Sequence, residues 1–393
     1  MILVVSFNAR AIAQLAKKMG LEVVVVDFWG DQDLFSLVDK VYSVFRPEFK
    51  SYAAFPDHTR NEEILVDLAL DVISKEKIDS VLLGSGLDDR PDLWEKINSS
   101  APILGNSPEC IRAARNLLDI HEILQQNKIN FPMTLLAKDP SNVTKFKDVT
   151  GFPFVIKPIK TLGGVGIRLI RNESELANFL DENSKKLDEY YVQEFINGEN
   201  ISTTLVGNKR DFKFLSINEQ LIGIQKYGTF LPFKYCGNVT PFECSSELAR
   251  KIEEISIRIS KRFKLSGIFG IDFVLKKNTP YFMEINPRFP GTIELLAMIS
   301  QLNAVKLHLD AINGIIPTEL EEFQGFAMKV VLFAKKTLKI QKIEPHPYLF
   351  DIPHPNITLE PEDPICTIQI SNKNRENLFK RMEGLVNQMF LKI

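Results

Sequence analysis

Two carboxylates, an amide and an arginine stand close together in the run Gly270-Ile-Asp272-Phe-Val … Tyr281-Phe-Met-Glu284-Ile-Asn286-Pro287-Arg288. Two β-forming stretches, Ile268 to Leu275 and Pro280 to Ile285, flank the turn-like Lys277-Asn278-Thr279. A hairpin closed around Asn278 sets Asp272 opposite Glu284, and strand alternation turns Asn286 to the same side as Glu284. The oxygens of Asp272, Glu284 and Asn286 then converge on one face, with Arg288 just beyond. Neighbouring carboxylates repel unless a cation lies between them, and an all-oxygen set suits a hard ion such as Mg²⁺. An edge hairpin with a wet polar face explains one acid alone. It explains poorly a D…E-x-N-P-R pattern set among apolar residues.

A second chemistry-bearing stretch is Lys160-Thr-Leu-Gly163-Gly164-Val-Gly166-Ile-Arg168. Gly163, Gly164 and Gly166 let backbone N–H groups crowd around an anion, and without Cβ atoms the loop can fold over it. No Gly-Lys-Ser/Thr follows, which excludes a Walker loop, and the following residues read as a strand rather than a helix, which excludes a dinucleotide loop. What remains is a glycine hairpin capping phosphates, or a turn that binds nothing. Lys157 precedes it on the apolar strand Val155-Ile-Lys-Pro, where a cation is costly without an anionic partner. Downstream, Gln193-Glu194-Phe195-Ile196-Asn-Gly198-Glu199 ends a strand. Its free backbone can read adenine and Glu199 can accept from ribose hydroxyls, although many surface turns carry Asn-Gly-Glu.

Taken in order, the lysine strand, glycine loop, acid-ended strand and Asp…Glu-x-Asn-Pro-Arg hairpin resemble the ATP-grasp superfamily. The resemblance is nearest to the carboxylate–amine ligases related to biotin carboxylase and the carbamoyl-phosphate synthetase large subunit, and it covers nearly the whole chain. It implies ATP and Mg²⁺ (with Mn²⁺ an acceptable replacement), and small-molecule acid and amine substrates. Lys157 would contact the phosphates, Gly163, Gly164 and Gly166 would cover them, and Glu194, Phe195 and Ile196 would form the adenine hinge. Glu199 would bind ribose, while Asp272, Glu284 and Asn286 would hold the metal. Arg288 would be catalytic, steadying the moving phosphoryl group. Many relatives carry a phosphate-contacting lysine on the helix before the central domain; here Arg112-Ala-Ala-Arg115-Asn116 stands in that neighbourhood, so Arg115 or Lys160 would substitute. The implied activity is an ADP-forming carbon–nitrogen ligase. The alternatives are a phosphoryl transferase, a biotin-carboxylase-like enzyme, or a nucleotide-binding regulator without turnover. The resemblance leaves room for a homodimer.

These residues need a scaffold. Residues 1–105 alternate strand and helix: Ile2 to Ser6, Ala9 to Lys18, Glu22 to Asp27, Asn61 to Lys75 and Ser80 to Gly84. That alternation predicts an open parallel α/β domain, the pre-ATP-grasp domain of the resemblance. Asp27 ends the second strand in the manner of a dinucleotide fold, but the first turn, Ser6-Phe-Asn-Ala-Arg10, has no G-x-G-x-x-G. NAD is therefore excluded, while contact with a small substrate stays open. Residues 106–316 form the expected ATP-grasp domain, with helices at Cys110 to Gln126, Asn172 to Glu182, Leu248 to Phe263 and within Ile293 to Gly314. Residues 317–393 read as a small appended α+β unit, with strands at Ala327 to Ala334 and Cys366 to Ile370 and a helix at Arg375 to Phe390. Glu219-Gln220 and Tyr235-Cys-Gly-Asn238 either line a substrate pocket or are ordinary strand polars, and His308, among leucines, reads as structural.

The bulk numbers agree. In 393 residues, 45% hydrophobic and 25% charged, the formal net charge is -2, so no basic field attracts nucleic acid or an anionic membrane. The four cysteines lie far apart without a CxxC pair, which argues against zinc and against a disulfide scaffold. The apolar start Met1-Ile-Leu-Val-Val lacks a basic leader and reads as a buried strand. A cytoplasmic protein is expected.

Overall fold

The computed structural model describes residues 1–45, 51, 60–160 and 163–392. Near the N-terminus a four-stranded parallel sheet runs in the order Lys40–Ser43, Val23–Asp27, Ile2–Ser6, Ser80–Leu83. Its central strands are continuous apolar runs because both faces are covered. Val4, Val25 and Leu82 pack under the helix Arg10–Lys18, while Leu3, Val5 and Val24 face the helices Asn61–Lys75 and Pro91–Ser100.

A second four-stranded sheet, Thr134–Leu136, Tyr190–Glu194, Phe154–Pro158 and Arg168–Ile170, is antiparallel and carries the lysine strand. Val143 and Phe146 of one helix and Leu176 and Phe179 of another close its apolar face.

The third sheet has eight antiparallel strands. In order these are Thr279–Asn286, Ser266–Lys276, Glu199–Asn208, Phe212–Ile222, Tyr235–Thr240, Phe326–Phe333, Pro364–Asn372 and Leu349–Phe350. The segment from residue 317 is α+β as expected, yet it is no appendage. Phe326–Phe333 pairs directly with Tyr235–Thr240, and Leu378, Met382 and Val386 of the last helix share one core with Cys236 and Val239. An apolar strand edge leaves backbone groups to be paired, and here a distant segment pairs them.

Two stretches expected to hold one helix each hold two. The stretch from Cys110 to Gln126 is Pro108–Arg115 and Leu117–Gln126, separated by Asn116 (ψ 93°), which caps the second helix. Likewise Ile293–Ile299 and Ala304–Ile312 are separate, and the Asn303 side chain accepts from the N–H groups of Val305 and Lys306 at 3.0 and 3.1 Å. Asparagine favours such junctions because its short side chain replaces the missing helical acceptor.

The acidic hairpin reaches the expected pairing by another route. Its turn has two residues, Lys277 and Asn278, with φ of 49° and 60°, and Lys276 faces Thr279. Both lie in the left-handed region that a tight hairpin turn requires. Continued without a break, that register would set Asp272 against Met283. A bulge at Met283 adds one residue, and Asp272 faces Glu284 after all.

Candidate active site

The three sheets enclose a cavity of about 540 Å³. On its wall Asp272 and Glu284 lie directly across the hairpin, and Asn286 donates through Nδ2 to Asp272 Oδ2 at 3.0 Å. Burial first, then the Glu284 charge, push the Asp272 carboxyl up to about 7. A cation between the two acids would reverse that rise, so these residues fit a divalent metal. Among the described residues no group of three or more His, Cys, Asp or Glu side chains is placed to hold one. A metal here would take two carboxylates and one amide from the protein and its remaining ligands from water and substrate oxygens, the habit of Mg²⁺.

Arg288 is fixed beside this group. Its Nε meets Asp88 Oδ1 at 2.9 Å, Nη1 donates to the Phe289 carbonyl at 3.0 Å, and Nη2 lies 3.4 Å from Asn286 Oδ1. Arg115 also reaches the acids: Nε pairs with Asp89 Oδ1 at 2.6 Å, and Nη1 lies 3.4 Å from Glu284 Oε2. It is not part of the cavity wall.

Lys157, on the strand and half-buried, lines the same cavity, and its amine makes no hydrogen bond or ion pair to any described residue. Burial lowers the affinity of its amine for a proton, with Glu284 opposing. An unpaired ammonium facing a cavity beside two acids fits an incoming phosphate.

The glycine loop folds over this space. Gly163, Gly164 and Gly166 have φ of +60°, +80° and +81°, which a side chain resists. The Gly163 carbonyl accepts from the Tyr235 N–H at 3.1 Å, and a Cβ on Gly164 would overlap the Phe233 carbonyl. Gly163 and Gly164 line the cavity; Gly166 packs on Pro158, and Lys160 is exposed outside it. Thr161 and Leu162 lie outside the described residues.

At the strand end Glu194 is tied to Met133, its N–H donating to the Met133 carbonyl at 2.8 Å and its carboxylate accepting from the Met133 N–H at 3.3 Å. The chain then leaves the sheet. Phe195 and Ile196 form part of the cavity wall, and their amides and carbonyls make no backbone hydrogen bond among the described residues. This open strand end is what a purine edge requires. Glu199 departs from expectation: it is exposed, pairs with Leu275 and does not line the cavity. Asn200 and Ser202, on the opposite side by strand alternation, do.

Other wall residues were missed or only hinted at by sequence reasoning. Gln220, Tyr235 and Asn238 line the cavity, whereas Glu219 pairs with Arg375 at 2.5 Å. Asn8, Trp29 and Asp31 from the first sheet meet Lys329, Asp351 and Thr367 from the last segment. Behind them Arg10 binds Glu294 and Asp351, each at 2.6 Å, and Lys329 binds Glu294 at 3.0 Å. Apart from the Ser6-to-Arg10 turn, no local pattern marks them. Asp27, the acid that tempts a dinucleotide reading, accepts from the N–H groups of Ala9 and Gly30 at 2.7 and 2.6 Å and holds the two turns together. His308 is structural: Nδ1 accepts from Ile268, Nε2 meets the Leu104 carbonyl, and burial lowers it to about 4.

Residues 114–292 match the model of the ATP-grasp domain. Over 96% of its length the chain is 28% identical to an uncharacterised protein of Methanocaldococcus jannaschii, covering 89% of that protein. It is 25% identical to the formate-dependent phosphoribosylglycinamide formyltransferase of Prochlorococcus marinus, over 84% of this chain and 80% of that one. Among solved structures it resembles the biotin carboxylase domain dimer of Hydrogenobacter thermophilus 2-oxoglutarate carboxylase in complex with MgADP, ADP and bicarbonate. The TM-score is 0.74 at 16% identity, with 97% of this chain and 88% of that one covered.

Proposed function

From a chain that has the ATP-grasp fold and carries the ATP-grasp domain over residues 114–292, we propose an ATP- and Mg²⁺-dependent ligase that activates a carboxylate as an acyl phosphate and joins it to an amine, releasing ADP. The observation that carries this reading is one cavity walled by an unpartnered lysine, a docked glycine loop, an open strand end and the Asp272–Glu284–Asn286 group. The formate-dependent relative, named for a reaction that combines a small acid with an amine-bearing acceptor, supports the same class.

In this mechanism Phe195 and Ile196 receive the adenine, Lys157 receives phosphate oxygens, and Gly163 and Gly164 close over them. Asp272, Glu284 and Asn286 would hold the metal. When bound, it neutralises the charge of the transferring phosphoryl group. Arg288, immobilised by Asp88, faces the position where the acid attacks and stabilises the negative charge that develops there. The docked glycine loop excludes the water that would hydrolyse the activated acid. No side-chain nucleophile is needed, since the substrate acid plays that part. Asn200 replaces Glu199 as the candidate ribose contact. A homodimer and a cytoplasmic setting complete the proposal; the four cysteines, all free thiols, are at home in a reducing compartment.

The test is ADP release measured over a matrix of small acids and amines. The ligase reading expects a pair for which release depends on both components. Release that needs the acid alone, with a phosphorylated acid accumulating, would replace it by a phosphoryl transferase.

A further inference from the structure

At the end of the cavity formed by the first sheet and the last segment, one carboxylate stands without a partner. Asp31 is 8% exposed, its remaining surface opens on the cavity, and it makes no side-chain hydrogen bond or ion pair among the described residues. Neighbouring carboxylates are occupied: Asp351 by Arg10, Glu294 by Arg10 and Lys329, and Asp33 by the N–H groups of Asp351 and Ile352 at 2.9 and 3.0 Å. Around Asp31 stand four further acids (Asp27, Asp33, Glu294, Asp351) and two cations (Arg10, Lys329); both cations are paired with other acids, and only Arg10 Nη2 is left without a hydrogen bond among the described residues. Burial and the charges of Asp351, Asp27 and Asp33 disfavour an ionised Asp31 in the unliganded protein and outweigh the favouring charge of Arg10. Isolated charge of this kind is retained against its cost when a ligand neutralises it. Trp29 contributes an indole to the same wall, held edge-on by Phe28 at 4.9 Å.

We propose that this end of the cavity binds the amine substrate through a primary ammonium group, with Asp31 as its counter-ion and Trp29 as its aromatic wall. A primary ammonium supplies the missing positive charge with three N–H donors, for which Asp31 offers two acceptor oxygens, and an indole face favours a cation. The proposal rests on the ligase reading above, since it names the class of that enzyme's second substrate.

The test uses the full chain, wild type and Asp31→Asn, titrated calorimetrically with putrescine, L-lysine and succinate, each with and without Mg²⁺-ATP. At least one cationic probe should bind the wild type, and D31N should weaken it by at least roughly thirtyfold, the lower end of the loss expected for removing one partner of a buried charge pair. Succinate should show no loss of affinity in D31N, and Mg²⁺-ATP should bind both proteins alike. Without ligand, D31N should melt higher, because the Asp31 side chain makes no cap hydrogen bond that could be lost and the buried repulsion is gone. Equal amine affinity in both proteins, absence of binding by either amine under both conditions, or a lower melting temperature of unliganded D31N overturns the assignment. Failure of Mg²⁺-ATP to bind the wild type, with amine binding still dependent on Asp31, would instead count against the ligase reading alone.

Discussion

Arg288 has two jobs in this account, and they can be separated. Removing a preorganised cation that acts mainly in the transition state costs roughly a hundredfold to a thousandfold in turnover. Arg288→Ala should show that loss with nearly normal Mg²⁺-ATP affinity by calorimetry. It should also lower the melting temperature, because Asp88, only 8% exposed, loses its partner. Turnover must therefore be compared well below melting, and a variant that melts early yet turns over normally when cold would leave Arg288 a purely structural role. Glu284→Gln tests the metal group differently. It removes one of the two carboxylates while keeping shape, and relieves the charge that raises Asp272. Turnover should fall sharply, the Mg²⁺ requirement should shift to higher concentration, and the fold should persist. Unchanged Mg²⁺ dependence would remove Glu284 from the metal set.

Among the elements, the glycine loop offers an internal control. Gly163 and Gly164 both have positive φ, but a side chain on Gly163 would meet nothing within 4 Å, while one on Gly164 would overlap the Phe233 carbonyl. Gly163→Asn should be tolerated, since asparagine visits the left-handed region readily. Gly164→Ala should undock the loop, raising the KM for ATP and releasing ADP without ligated product. Equal kinetics for the two variants would show that docking on Phe233 has no part in closure. This scale also shows what was legible. The strand, loop, strand and hairpin signals in 154–199 and 268–288 are local, so periodicity and glycines expose them. The facing of Asp272 and Glu284 followed from a turn drawn one residue too long, and the Met283 bulge supplies the residue that the true turn lacks. A bulge leaves no mark in the pattern of apolar residues. Asn116 and Asn303 are readable as caps only once the break is known.

For the whole molecule, the least legible feature was where distant segments pair. Strands at Ala327 to Ala334 and Cys366 to Ile370 were expected, but nothing local says that the first of them pairs with Tyr235–Thr240 or that Lys329 and Asp351 reach the cavity. Such pairing depends on an edge some hundred residues away in sequence, and alternation specifies the face of a strand, not its neighbour. A truncation ending at residue 316 should therefore fail to fold, since it strips Val330, Leu332 and Ile368 from the core that covers Cys236 and Val239 and leaves Arg10 with fewer partners. Circular dichroism and gel filtration of residues 1–316 would check this. A monomeric, cooperatively melting product would mean that the last segment is dispensable after all.

The central claim is that a substrate carboxylate is phosphorylated before the amine attacks it, and oxygen labelling tests it most directly. With the acid–amine pair that supports ADP release, the acid is supplied with ¹⁸O in both carboxylate oxygens and the released phosphate is analysed by mass spectrometry. If the carboxylate attacks the γ-phosphorus and the amine later breaks the acyl carbon–oxygen bond, each phosphate carries one labelled oxygen and the amide keeps the other. Phosphate free of label, formed at the same rate as ADP, would contradict the account.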